Sequence, residues 1–180
     1  MNQLISLCEN YGSTLILISH DINLAAKWCK KVAIFEEGQI KEFGNINAIL
    51  KSPKSIIGKQ LVDAGSTNFA SNNCFTKDNG IILEVNNLRC WYRASSSIFN
   101  PKWNKAINNV SFKLSRNETL GLVGMSGSGK STLGRALIGL LDKRGGNIKI
   151  NIHDEKIKRN LKIQKAKNIQ MIFQDPFSSL

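Results

Sequence analysis

The chain has 180 residues, a formal net charge of +12 and a hydrophobic content of 42%, which exclude wholesale disorder and leave room for one packed domain or slightly more. Its longest apolar runs are a few residues, such as LILI at 15–18, far short of the ~20 that a membrane helix needs. The opening MNQLISLCENYG has no basic start followed by an apolar run, so it is not a secretory signal and a cytoplasmic protein is expected.

In chain order, Leu4, Ile5 and Cys8 are spaced as on a helix over 2–10, which Gly12 would end. TLILI at 14–18 has the length and continuous apolarity of a buried parallel strand. Ser19, His20 and Asp21 close that strand, and 21–29 reads as a helix with Asp21 or Asn23 at its N-cap. KVAIF at 31–35 is a second strand, Glu37-Gly38 a turn, and 39–44 the returning arm of a hairpin. Two short helical segments follow, separated by Pro53. Residues 65–80 turn rich in Ser, Asn and Gly without any period, which marks a linker. A second unit then begins. IILEVNNLRCWY (81–92) alternates like a strand, KAINNVSFKL (105–114) is a second strand, and ETLGLVG (118–124) is a third, its partner or neighbour. A helix is expected over 130–141, a strand over 146–152, a short basic helix, and a strand at 168–173 leading into QDPFSSL.

The chemistry is concentrated in GMSGSGKS. Gly124, Gly129, Lys130 and Ser131 match the spacing G-x-x-x-x-G-K-[ST]. Glycines let successive N–H groups turn inward onto phosphate oxygens. A lysine at this place puts positive charge on the β- and γ-phosphates, and the hydroxyl after it can hold Mg²⁺. The helix that starts there directs its positive end at the anion. A strand before the motif and a helix after it are the required setting, and 119–123 and 130–141 supply both. The candidate cofactor-binding set is therefore Gly124, Ser126, Gly127, Ser128, Gly129, Lys130, Ser131 and Thr132, with a nucleoside triphosphate and Mg²⁺ as the ligands; the resemblance given below implies ATP.

Other features are read more plainly. Cys8, Cys29, Cys74 and Cys90 form no CxxC pair and are taken as ordinary reduced thiols. Nine Lys/Arg against two acids lie between Lys143 and Lys167. With no aromatic interleaving in that run, a solvated helical face is the simpler reading than a nucleic-acid patch. Trp28 and Trp103 are assigned to packing or loops.

From Ile81 onward the chain resembles the ATP-binding domain of ABC transporters. LEVNNLRCWY is similar to that family's opening strand, and the resemblance implies that Tyr92 stacks on adenine. KAINNVSFKLSRNETLGLVGMSGSGKST resembles the strand pair and phosphate loop. IQMIFQDPFSSL resembles the Q-loop segment, with Gln174 at the position that senses Mg²⁺ and the attacking water. QDPFSSL and the insertion RASSSIFNPKWN look most like the ATPases of peptide, dipeptide and nickel importers. The first part resembles a different stretch of the same family: STLILISHDINLAAKWCKKVAIFEEGQIKEFG is similar to the segment after the Walker B strand, which places His20 at the switch histidine facing the γ-phosphate. ILKSPKSIIGKQLVDAG resembles the tail after the catalytic core.

The resemblance implies an α/β fold of the P-loop NTPase, ABC ATPase type. Residues 1–64 would be the C-terminal part of one nucleotide-binding domain, 65–80 a linker, and 81–180 the N-terminal part of a second. Some importers of this kind fuse two such domains in one chain. Catalytic roles fall to Gln174 and His20, and Mg²⁺ to Ser131 and Gln174. No LSGGQ-like signature and no apolar strand ending in Asp-Glu occurs in the 180 residues; the resemblance places them before Met1 and after Leu180. The implied partners are membrane permease subunits, a second nucleotide-binding domain and, indirectly, a solute-binding protein, at the inner face of the membrane. QDPFSSL argues against nucleic acid as a partner. The alternatives are a nucleotide-binding remnant without hydrolysis, or a soluble ABC-type protein acting on nucleic acid. His20 could serve the Lys130 site only if the first segment folded onto the second as a permuted half-domain.

Overall fold

The computed structural model describes residues 2–65, 80–93, 103–151 and 169–172. The first segment builds α1 (Asn2–Asn10), β1 (Leu15–Ser19), α2 (Ile22–Trp28), β2 (Lys31–Glu36), β3 (Gln39–Asn45), α3 (Ile46–Lys51) and α4 (Ile56–Ala64). The second builds β4 (Ile81–Arg93), β5 (Trp103–Ser115), β6 (Thr119–Val123), α5 (Lys130–Leu137) and β7 (Gly145–Ile150).

The local signals act where they stand. Asp21 caps α2 by accepting the Asn23 N–H at 2.8 Å, and Asn45 and Ser55 cap α3 and α4 in the same way. The helix expected over 130–141 stops four residues early. Gly139 takes φ +82°, its N–H donates to the Ala136 carbonyl, and the Leu140 N–H reaches back to the Arg135 carbonyl, the paired bonds of a glycine-terminated helix end. Residues 169–172, inside the strand expected at 168–173, carry no strand pairing. Met171 instead sits against Gly134, with its Cε 3.2 Å from where a Cβ would stand.

The expectation that β6 would partner or neighbour β5 is replaced by a different arrangement. One sheet has the order β1-β6-β2-β3 and the other β5-β4-β7. β6 pairs in parallel with β1 on one side (Leu15↔Thr119 to Ser19↔Val123) and with β2 on the other (Lys31↔Leu120 to Ile34↔Val123). The segments on either side of residues 65–80, the stretch expected to be a linker, thus contribute strands to one sheet. The reason lies in the faces of β6. Leu120 and Leu122 enter one apolar cluster with Ala33, Phe35 and the inner side of the antiparallel sheet, while Val123 enters a second with Val32, Ile34 and helices α2 to α4. A strand buried on both faces needs paired backbone on both edges, and β1 and β2 provide the apolar parallel strands to do it.

Two contacts seal this joint. Gly121 lies where α2 crosses β6, and a Cβ there would stand 2.9 Å from the Ala25 Cβ. Glu118, 4% exposed, accepts the Ser115 N–H and pairs with Lys31 at 2.9 Å. Replacing Lys31 with methionine leaves that buried carboxylate short of a partner. Denaturant unfolding should show a loss of about 1–3 kcal/mol, with Lys31→Arg close to the parent.

Candidate functional site

The parallel strands end together. Ser19 pairs with Val123, so His20 and Gly124 leave the sheet side by side at its carboxyl edge, where open α/β sheets place their ligands. From there the chain runs through 124–129 into α5. Gly127 (φ +77°) and Gly129 (φ +107°) take left-handed backbone that a glycine adopts without steric cost. Gly129 is the N-cap of α5 and offers no side-chain cap, so the first amides of the helix are left for another acceptor.

Lys130 turns back over the loop. Its ammonium donates to the carbonyls of Gly124 (2.7 Å) and Met125 (2.6 Å) and to the Ser128 hydroxyl (3.2 Å). Burial lowers its pKa from the usual lysine value. Ser128 is buried, and its N–H is committed to the Met125 carbonyl. Ser126, Gly127 and Ser131 are exposed, and Thr132 is half-buried in the first turn of α5. The set fits a polyphosphate with its metal: a cation folded over the loop, uncapped helix amides, open space around Gly127, with nothing within 4 Å of a Cβ built there, and an outward hydroxyl at Ser131.

The other predicted residues are placed as follows. Tyr92 is 37% exposed at the end of β4. It pairs with Asn104, two residues along β5 from Ala106, whose carbonyl lies beneath Gly129. His20 is exposed at the carboxyl end of β1. Gln174 lies outside the described residues, as do Cys74 and residues 152–167 of the basic run. Burial pushes the Cys29 thiol up to about 12 and raises that of Cys90, so both are unreactive core residues. No group of three or more His, Cys, Asp or Glu among the described residues forms a metal cluster, and no described helix is long and apolar enough to cross a membrane.

The sequence reading missed the residues that back the loop. A Cβ on Gly124 would meet the Phe35 carbonyl oxygen at 2.1 Å, and one on Gly129 would meet the Ala106 oxygen at 2.3 Å and the Phe35 ring at 3.1 Å. The Gly38 N–H donates to the Ser128 carbonyl at 2.8 Å. Glu37-Gly38 is legible as a turn, but its partner is almost a hundred residues away and leaves no local signal.

Strand, glycine loop, reaching lysine and helix on the parallel strands of this sheet are the arrangement of a P-loop in an α/β protein. Residues 107–180 match the ABC transporter family. Over 107 residues, 55% of the chain and 31% of the relative, it is 42% identical to the oligopeptide transport ATP-binding protein AppF of Bacillus subtilis. The glutathione import ATP-binding protein GsiA of Escherichia coli is 31% identical over an alignment of 206 residues, 99% of the chain and 33% of the relative. The peptidoglycan transport ATP-binding protein YejF of Agrobacterium fabrum is 24% identical over 176 residues, 97% of the chain and 32% of the relative. The family match covers the segment that carries the glycine loop, and the chain spans about a third of the length of these curated relatives.

Proposed function

We propose that this chain is part of the energy-coupling ATPase of an importer for peptides or similar small solutes, and that loop 124–129 with Lys130 and Ser131 holds MgATP. The observation that carries the reading is the Lys130 ammonium, gathered onto loop carbonyls beside an uncapped helix start. Ser126, Gly127, Ser128, Gly129 and Thr132 line the phosphates, Tyr92 stacks on the base, and Ser131 with Gln174 holds Mg²⁺. Mg²⁺ supplies charge neutralisation on the β- and γ-phosphates. Residues 1–64 and 81–180 are the end and the start of two such domains. In support, the oligopeptide relative aligns with 55% of the chain, whereas the glutathione and peptidoglycan relatives align with 97–99%. Hydrolysis, permease subunits, a second nucleotide-binding domain, a solute-binding protein and a place at the inner face of the membrane belong to the whole assembly.

The shared sheet favours the permuted half-domain, in which His20 serves the Lys130 site. His20 adds a polar contact to the terminal phosphate there, and its exposure means that its loss should leave the fold untouched. His20→Ala is expected to weaken MgATP binding about threefold to tenfold, the size of one ordinary hydrogen bond, with ADP affinity unchanged. Equal ATP affinities for the variant and the parent, read by titration calorimetry, would remove His20 from this site.

A further inference from the structure

The β2–β3 turn is tied to the phosphate loop more tightly than a surface hairpin requires. The Gly38 N–H donates to the Ser128 carbonyl at 2.8 Å, and the Gly38 carbonyl accepts the Asn108 N–H of β5 at 2.8 Å. Gly38 holds φ +74°, and a Cβ there would stand 2.8 Å from the carbonyl oxygens of both Lys105 and Ala106. The same Ala106 carbonyl backs Gly129, and Phe35, three residues before Gly38, backs Gly124 and Gly129. The turn is therefore wedged between the loop and β5, with one backbone bond to each. Only a glycine fits: the backbone is left-handed and the space for a side chain is filled by carbonyls.

We infer that Gly38 is a positioning residue for nucleotide binding. It fixes the Ser128 peptide, and through it the direction of the loop amides and the reach of Lys130, while touching no ligand itself. A loop held in its bound shape loses less freedom on binding, so slackening the turn should weaken phosphate capture in a chain that is still folded. This rests on the reading of 124–132 as a nucleotide site.

The test compares the full chain with its Gly38→Ala and Gly44→Ala variants. Gly44 lies in the same hairpin, and a Cβ there meets only the Ile49 Cδ1 at 3.9 Å. Gly38→Ala is expected to weaken MgATP and magnesium tripolyphosphate by the same factor, about tenfold, and to speed amide exchange in peptides covering 124–130. Gly44→Ala should change neither. Both ligands are titrated where circular dichroism shows each variant folded, so a general loss of stability does not move the readout. If Gly38→Ala does not fold, Phe35→Leu, which withdraws ring atoms from beneath Gly129, should give a threefold loss. Unchanged affinity and unchanged exchange in the variant would overturn the role of Gly38 and leave the nucleotide reading standing. A parent chain that binds neither ligand would overturn the nucleotide reading, and the exchange data would still decide whether the turn holds the loop.

Discussion

Lys130→Met is expected to lower MgATP affinity by between about tenfold and a hundredfold, the size of lost hydrogen bonds to a charged group, with little change in fold stability. The ammonium is held by two carbonyls and a hydroxyl of its own loop, so the cation is drawn over the place where phosphate would enter. Its pKa is lowered by burial. The unfolded chain therefore binds the proton more readily than the folded one between the folded value and the usual 10.5, and the lysine's burden on stability is relieved as pH rises through that window. At neutral pH that burden is in force, so methionine loses three hydrogen bonds and sheds a desolvated charge, and the two effects oppose each other. Calorimetric titration and thermal melts on the same samples separate the outcomes. Parent-like affinity would remove Lys130 from the phosphate site, and a collapse of the melt would make it a structural residue.

Gly124→Ala should destabilise the chain by about 2–5 kcal/mol, whereas Gly127→Ala should cost about 1–2 kcal/mol. At Gly124 a Cβ would lie 2.1 Å from the Phe35 carbonyl oxygen. That atom is backbone near the end of β2, one residue past its last pair with β6, so the overlap is relieved by parting the two strand ends, an overpacking cost with lost ladder bonds added. Gly127 has nothing within 4 Å of such a Cβ and asks only for the left-handed conformation. Denaturant unfolding gives the ranking directly. Because Phe35 belongs to the first segment and Gly124 to the second, a mild Gly124→Ala would mean that β2 does not lie beside β6.

Much of this protein is readable residue by residue. Asp21, Asn45 and Ser55 stop the chain and start helices through their own side chains, and KVAIF and TLGLV are apolar enough to become buried strands wherever they land. The spacing of Gly124, Gly129, Lys130 and Ser131 identifies the phosphate loop because a strand, a tight turn and a helix start are all local. The end of α5 escapes the apolar pattern, since Leu140 and Leu141 continue it past the glycine that stops the helix. What sequence pattern could not decide is which strands lie beside β6. Two edges of one apolar strand accept any parallel apolar strand of the right length, and the choice is made by burial of both faces at once: Gly121 under α2, Glu118 on Lys31, Phe35 beneath Gly124. The site follows from that choice. Its candidate phosphate-loop residues are written in one short motif, whereas the residues that hold the motif in shape, Phe35, Gly38 and Ala106, come together only when the two ends of the chain share a sheet.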